Sequence, residues 1–370
     1  MKKPEISEEV RHDIYSLGDT TFCRPVTKWS LSEMKKLNRY LITLGVLTVI
    51  LMLSLFTYNT KILKHSQRED FVFQPAKFSD LLRDGRNDTN HVLTAAMRIS
   101  KGGQKALLVT LVNDAFLPFT FSWLCNTQGM GIHNQVLFIT GDNESAMKIN
   151  QKWPEVTAIQ IDGVHSGNQE YSHVGYVELM VRRSEILLEI LEKNIPIFLF
   201  EVDCIWITNP LNNIQSYSNV DVVVNAVSSR SNVIAGGFLY LHPTDASKKM
   251  WRALTKQLVQ LGMKIKNSAD EKLVSEGDND QQYLSKLVFS KYGGLRYKIL
   301  STDDYADGKW YSFSKEERNR RKMPLILNNN WISGNLAKIK RAKAWGHWFL
   351  TESGHCDPKN IERIVDQHLL

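Results

Sequence analysis

The chain has 370 residues, of which 43% are hydrophobic and 23% are charged, and its formal net charge is +7. This composition excludes wholesale disorder, while 10 Pro, 21 Gly and 4 Cys exclude a collagen-like chain and a disulfide-stapled mini-protein. The positive charge is mild for this length and fits a phosphate-bearing small ligand as well as a polymer. We expect no nucleic acid among the partners.

The first predicted element is an apolar segment at residues 40–58, which reads YLITLGVLTVILMLSLFTY and contains no charged side chain. As a helix, its 19 residues extend about 28 Å, close to the roughly 30 Å hydrocarbon core of a bilayer. The alternatives are a buried core helix, which is rarely apolar on all sides over this length, and a cleaved signal peptide. Since 39 residues precede the segment, a signal peptide is disfavoured, and we predict a transmembrane signal anchor.

The charges beside this segment predict its orientation. Four basic side chains closely precede it and three follow it: Lys28, Lys35, Lys36 and Arg39, then Lys61, Lys64 and Arg68. The positive-inside rule therefore predicts that residues 1–39 are a cytosolic tail and that the chain beyond residue 58 lies in a lumen or outside the cell. Two N-glycosylation sequons, which begin at Asn87 and Asn143, agree with that side of the membrane.

Residues 59–102 are polar and weakly periodic and are predicted to form a stem, so that a folded lumenal domain covers residues 103–370. That domain contains three cysteines, Cys125, Cys204 and Cys356. Because the number is odd, at least one thiol stays free, and the sequence does not say which two would pair.

Within the domain, short apolar and β-branched runs alternate with helical periodicity. Strands are predicted at residues 106–112, 135–140, 156–161 and 197–200. Helices are predicted at 115–129, between Asn143 and Trp153, and at 171–193. This alternation predicts parallel βαβ units in one α/β sheet. The pattern is mixed farther along, with strand-like runs at 222–224 and 236–241 and a helix near 245–261.

An acid-x-acid string follows the fourth predicted strand. The chain contains four such strings, about the number that chance gives for 39 acidic residues, but only Glu201/Asp203 directly follows an apolar strand. Ligands of open α/β sheets bind beyond the carboxyl ends of the strands. Two interpretations explain the pair equally well: a divalent cation, Mn²⁺ or Mg²⁺, held by both carboxylates, or a salt bridge to Arg182 or Arg183.

Five blocks of the sequence together resemble the nucleotide-diphospho-sugar transferase family, which includes plant cell-wall xylosyl- and arabinosyltransferases. They are residues 176–183 (YVELMVRR), 198–210 (FLFEVDCIWITNP), 237–244 (GFLYLHPT), 280–281 (DQ) and 330–338 (NWISGNLAK). The resemblance rests on their order and spacing rather than on any one block.

The resemblance covers roughly residues 103–350 and implies a GT-A fold, which is a Rossmann-like, mixed and mostly parallel sheet flanked by helices. It also implies a UDP-sugar donor, with a pentose such as xylose favoured, a divalent metal ion, and a glycan or glycoprotein acceptor. The expected protein is a Golgi glycosyltransferase of type II membrane topology that retains the anomeric configuration.

The family's motifs also imply roles for individual positions. Asp203, Glu201 and Asn328 would hold the metal ion, and Glu201 would contact the donor as well. Asp280 and Gln281 would hold sugar hydroxyls beside the reacting carbon. The other positions expected to bind the UDP-sugar are Thr110, Asn113, Arg182, Arg183 and Lys338.

Three positions depart from the family pattern. Glu201 stands where Asp is usual, Asn328 where His is frequent, and Ala235 where Asn usually precedes Gly-Phe. An amide oxygen is a weaker Mn²⁺ ligand than imidazole. These departures keep a second hypothesis open, a catalytically inactive relative that binds a nucleotide-sugar or a glycan, and a third is a basic lumenal binder of acidic polysaccharide. The sequence has no GxGxxG, P-loop or CxxC motif, which excludes Rossmann oxidoreductases, P-loop NTPases and zinc sites.

Overall fold

A computed structural model of the chain describes residues 86–162, 167, 169, 173–227, 232–266, 274, 275 and 277–369. The predicted cytosolic tail, the predicted transmembrane anchor and most of the predicted stem lie outside these residues. Within the described ranges, no helix is both long enough and apolar enough to cross a membrane.

The described residues form a large sheet, a small sheet and the helices around them. The strands are β1 (Leu107–Val112), β2 (Val136–Thr140), β3 (Thr157–Gln160), β4 (Ile197–Leu199), β5 (Cys204–Trp206), β6 (Val222–Ala226), β7 (Ile234–Leu241), β8 (Tyr297–Ile299), β9 (Tyr305–Ala306) and β10 (Ile326–Asn328). The α-helices are α1 (Arg86–Ile99), α2 (Leu117–Thr127), α3 (Asn143–Lys152), α4 (Val174–Glu192), α5 (Leu211–Gln215), α6 (Asp245–Ile265), α7 (Asp280–Phe289), α8 (Lys315–Arg320), α9 (Asn335–Trp345) and α10 (Pro358–Leu369).

The strand order in the large sheet is β3-β2-β1-β4-β7-β6-β8. β1 pairs in parallel with β2 and β4, and β2 pairs in parallel with β3, as the predicted βαβ units require. β7 is antiparallel to both β4 and β6, while β6 and β8 are parallel. The prediction of a mixed, mostly parallel sheet is therefore confirmed, and the first four strands begin and end within one residue of the predicted limits.

Helices cover both faces of the large sheet. α1, α4 and α6 share one apolar cluster with the sheet, and α2 and α3 contribute to a second cluster on the other face. The central strands β1 and β4 are buried on both sides, which is why they read as continuous apolar runs rather than as alternating ones.

α1 lies within the segment that the sequence predicts to be a stem. Its Val92 and Ala96 are fully buried in the cluster that also contains Leu187 of α4. The helix is therefore packed on the sheet as part of the folded domain.

The small sheet has the strand order β5-β10-β9, and its strand β5 follows β4 in the chain. Asn126 of α2 extends its edge, since its side chain donates to the Trp206 carbonyl (2.9 Å) and accepts from the Trp206 N–H (2.8 Å). Trp123 stacks on Phe200 with 4.5 Å between ring centroids and meets Trp206 edge-on at 5.2 Å. These buried contacts fix the turn that joins the two sheets.

One disulfide links Cys125 of α2 to Cys356, which lies 231 residues farther along the chain, with 5.4 Å between the Cα atoms. Cys204 is free and buried. The structure thus resolves the pairing that the sequence left open.

Candidate active site

A cleft of about 700 Å³ opens at the carboxyl ends of β1 and β4. Thr110 and Asn113 line it from the end of β1, and both side chains are buried. The Asn113 amide donates to the Gly167 carbonyl at 2.5 Å, so the loop after β3 also contributes to this region. The cleft lies where ligands of α/β sheets bind.

The acidic pair lies on the turn between β4 and β5. One ligand atom each from Glu201, Asp203 and Cys204 lie within 4.8 Å of one another. Antiparallel pairing of β5 with β10 sets Asn328 opposite Cys204, and the Asn328 amide donates to Glu201 Oε2 at 3.0 Å. The register of two short strands therefore brings Asn328 to Glu201, which lies 127 residues earlier in the chain.

A lysine faces the same carboxylates. Lys338 Nζ lies 2.6 Å from Asp203 Oδ2, and only 19% and 6% of the two side chains are exposed. Burial alone would lower the pKa of this ammonium, but the charge and hydrogen bond of Asp203 raise it above the ordinary value, so Lys338 is a cation. The basic partner of the acidic pair is therefore Lys338, rather than Arg182 or Arg183 of the preceding helix.

Burial and charge both act on Glu201. Burial raises its pKa above the ordinary value, and the nearby Asp203 charge raises it further, while Lys338 and the Asn328 hydrogen bond oppose the shift. Burial also raises the pKa of the Cys204 thiol well above its usual value, which keeps that sulfur protonated. A cation beside these carboxylates would favour their charged forms.

The oxygen atoms at this turn fit a hard divalent cation. Asn328 Oδ1 is buried and lacks a hydrogen-bond partner among the described residues, an arrangement that costs free energy unless a ligand satisfies it. It lies on the cleft wall together with Glu201 and Asp203. Two carboxylates and an amide oxygen are ligands that Mn²⁺ and Mg²⁺ accept.

A second ion pair lies on the α4 side of the cleft, where Arg183 lines the cleft and Asp280 lies behind it, outside the lining residues. Arg183 Nη2 donates to Asp280 Oδ2 at 2.7 Å and to the Gly236 carbonyl at 3.2 Å, and the Tyr176 hydroxyl donates to Asp280 Oδ1 at 3.2 Å. The Arg183 and Asp280 side chains are only 15% and 6% exposed. Two side chains of α4 therefore fix both oxygens of this carboxylate, and Gln281 beside it lines the cleft.

The structure does not bring Arg182 to the cleft. Its guanidinium donates to Thr89 of α1 at 3.2 Å and pairs with Glu185 at 3.5 Å. Consecutive helix residues point about 100° apart, so a helix that turns Arg183 toward the cleft turns Arg182 away from it.

Two glycines of β7 belong to the site and were not predicted as functional residues. A Cβ atom at Gly237 would lie 2.2 Å from Glu201 Oε1, and one at Gly236 would lie 2.8 Å from Asp280 Oδ2. Consecutive glycines inside a strand are a signal for close backbone approach. Tyr176 was also missed, although it lies in one of the blocks that carry the family resemblance.

Fold and cleft together are those expected of a glycosyltransferase. The family model for nucleotide-diphospho-sugar transferases matches residues 131–342, which include the acidic pair, the β7 glycines, Asp280 and Lys338. The chain therefore belongs to the nucleotide-diphospho-sugar transferase family, and the prediction of a glycosyltransferase is confirmed.

Curated relatives of this class match much of the chain. UDP-D-xylose:L-fucose alpha-1,3-D-xylosyltransferase 1 of Arabidopsis thaliana is 22% identical over 70% of this chain and 74% of its own length. The xylosyltransferase MGP4 of the same plant is 24% identical, with the same coverage of both chains. The glycosyltransferase GlyE of Streptococcus pneumoniae TIGR4 superposes with a TM-score of 0.41 and 14% identity over 72% of this chain and 60% of its own.

Proposed function

We propose that the protein transfers xylose from UDP-xylose to an L-fucose residue of a glycan, on a GT-A fold, with a divalent metal ion held by Glu201, Asp203 and Asn328. The observation that carries the proposal is the convergence of these three side chains with the Lys338 ammonium in one cleft at the carboxyl edge of the sheet. Donor and acceptor are inferred from the two Arabidopsis relatives, whose names both contain UDP-D-xylose and L-fucose.

Positive charge at the diphosphate is the first requirement of this reaction. Departure of UDP develops negative charge on the diphosphate, and groups that stabilise this charge more in the transition state than in the ground state accelerate the reaction. The metal ion, when bound, supplies Lewis-acid stabilisation of that charge. Lys338 of α9 supplies a second positive charge at the diphosphate.

In this proposal, the side chains on the α4 side of the cleft interact with the transferred sugar. The anomeric carbon gains oxocarbenium character as the bond to UDP breaks, and the Asp280 carboxylate stabilises the positive charge. Because Arg183 and Tyr176 already fix this carboxylate, little reorganisation accompanies the reaction. Gln281 orients a sugar hydroxyl, Thr110 and Asn113 contact the uridine, and transfer retains the anomeric configuration.

The same proposal includes a type II protein of the Golgi membrane with a lumenal catalytic domain. The Cys125–Cys356 disulfide supports an oxidising compartment. The apolar segment at residues 40–58 supports an anchor, and Asn143, which begins one of the sequons, is exposed.

The test is UDP release by the purified full-length chain. UDP-xylose, UDP-arabinose and UDP-galactose would be supplied with Mn²⁺, Mg²⁺ or a chelator, each with and without methyl α-L-fucoside. We expect release from UDP-xylose that needs metal, increases with the fucoside and is lost in Asp203→Asn. Glu144→Gln is the matched control, since Glu144 belongs to another acid-x-acid string but is exposed and paired with Lys148.

The inactive-relative hypothesis gives a different result in the same experiment. That protein would bind UDP in calorimetry and release none from any of the three donors, whichever metal or acceptor is present. A chain without metal-dependent UDP binding would contradict the proposed function altogether.

A further inference from the structure

An exposed aromatic side chain lies between two residues of the cleft wall and has no role in the donor chemistry. Trp331 is 45% exposed, although its chain neighbours Asn330 and Ile332 both line the cleft. Its φ of 61° lies in the left-handed region, which is exceptional for a bulky residue. Such conformations persist only where the surroundings impose them, and they are concentrated at functional sites.

The Trp331 ring is fixed in place rather than free on the surface. Its Nε1 donates to Asp307 Oδ2 at 2.5 Å, and Asp307 is itself buried. Lys309 Nζ lies 4.5 Å from the ring centroid and covers one face by a cation–π contact. One edge and one face are thus occupied, while 45% of the residue stays exposed to solvent.

The backbone that bears this ring is also fixed. The Gly308 N–H donates to Asn330 Oδ1 at 2.7 Å, and a Cβ atom at Gly308 would lie 1.9 Å from the Asn330 carbonyl oxygen. Arg341 of α9 donates to the same carbonyl at 2.6 Å. A surface held in one position before its ligand arrives loses little entropy on binding.

A second exposed apolar side chain follows Trp331 five residues along the chain. Leu336, in the first turn of the helix that carries Lys338, is 85% exposed. One face of a pyranose ring consists of C–H bonds and packs well on an aromatic ring. L-Fucose carries a methyl group where other hexoses carry a hydroxymethyl group, so it has an additional apolar group that can contact exposed apolar side chains.

We propose that the exposed face of Trp331 is the platform on which the L-fucose residue of the acceptor stacks. The inference rests on the proposed function for the identity of the acceptor. It assigns Trp331 to acceptor binding alone, separate from the metal ion and UDP.

The test measures binding of the two ligands separately on full-length proteins: wild type, Trp331→Ala, Trp331→Phe and Tyr292→Ala. Tyr292 is a matched control, because it is 40% exposed and has Lys249 Nζ 5.9 Å from its ring centroid, but, unlike Trp331, it has no chain neighbour that lines the cleft. Saturation-transfer NMR would give the Kd of methyl α-L-fucoside, and calorimetry with Mn²⁺ would give the Kd of UDP.

We expect the fucoside Kd to rise at least about tenfold in Trp331→Ala and less in Trp331→Phe, which keeps an aromatic face. Tyr292→Ala should match wild type, and the UDP Kd should be unchanged throughout, which also shows that the variants are folded. Wild type without fucoside affinity, or Trp331→Ala within twofold of wild type, would overturn the inference. Absence of UDP binding in wild type would contradict the proposed function and not the inference about Trp331. In that case, the fucoside Kd values alone would test whether Trp331 binds the acceptor.

Discussion

Two ion pairs lie at the same cleft, and they differ in how completely the hydrogen-bonding capacity of each acid is satisfied. Asp280 is contacted by Arg183 at 2.7 Å on one oxygen and by Tyr176 at 3.2 Å on the other. Asp203 pairs with Lys338 at 2.6 Å, but it lies beside a second carboxylate, that of Glu201.

Asp280 is therefore a fixed acid, whose partners hold both of its oxygens. Asp203 is an exchangeable acid, whose lysine partner a ligand can replace. An Arg guanidinium that also bonds the Gly236 carbonyl is a planar, oriented partner, whereas a Lys ammonium is a point charge on a flexible stem. Next to Asp203, the Asn328 oxygen still lacks a partner among the described residues. We therefore expect a ligand to rearrange the Lys338–Asp203 side and to leave the Arg183–Asp280 side as it is.

The largest expected effect is the loss of UDP release when Asp203, the exchangeable acid, is replaced. Asp203→Asn removes a charged metal ligand and several kcal/mol of transition-state stabilisation, so metal-dependent UDP release should fall roughly 10³-fold. The measurement is UDP release at saturating UDP-xylose and Mn²⁺. An activity within tenfold of wild type would contradict a catalytic metal at this turn.

Breaking the fixed pair should affect stability as well as rate. Arg183→Met leaves the buried Asp280 charge without its cation, which should lower the free energy of unfolding by about 3 kcal/mol. Denaturant unfolding measures this cost, and Arg183→Lys is the control that keeps the charge but loses the planar fork. If Asp280 were only structural, Arg183→Met would still be less stable, but its folded fraction would transfer sugar at the wild-type rate.

Lys338→Met should change two affinities in opposite directions. Without the ammonium, Glu201 and Asp203 repel each other unless a cation binds, so Mn²⁺ alone should bind more tightly. UDP should bind about tenfold more weakly, because one cation facing the diphosphate is lost. Calorimetry with each ligand checks both signs, and a parallel loss of both affinities would show that Lys338 merely supports the fold.

The smallest effect is expected from Gly237→Ala, which would change Mn²⁺ affinity through Glu201. The added methyl group must displace the Glu201 carboxylate, which would lie only 2.2 Å away. We expect Mn²⁺ affinity to fall about tenfold, the lower end for a residue that orients a metal ligand. Gly262→Ala, on α6, meets only the tip of Val181 at 3.3 Å and serves as the control. Equal affinities in the two variants would exclude Glu201 as a ligand.

The sequence predicted the elements well because the signals for them are local. The apolar run that became β4 and the periodicity that became α4 depend on neighbouring residues, and both lie where they were expected. The acidic pair could be singled out for the same reason, since its position after a buried strand is visible in the sequence.

Long-range pairing could not be predicted in the same way. Asp280 lies 97 residues from Arg183, and Lys338 lies 135 residues from Asp203. Which acid pairs with which base depends on the antiparallel insertion of β7 and on the register of β5 with β10, and neither has a local signal. Arg182 and Arg183 were predicted together because they share one motif, but consecutive helix residues point about 100° apart, and only Arg183 lines the cleft.

Mn²⁺ binding tests the central claim most directly, because it does not depend on which sugar is transferred or on which acceptor receives it. Full-length wild type, Asp203→Asn and Glu144→Gln would be titrated with Mn²⁺ in the presence of UDP and followed by electron paramagnetic resonance. The account predicts one bound Mn²⁺ per chain in wild type and Glu144→Gln, and a loss of that binding in Asp203→Asn. Equal binding by all three proteins, or none by wild type, would contradict a metal site at Glu201, Asp203 and Asn328.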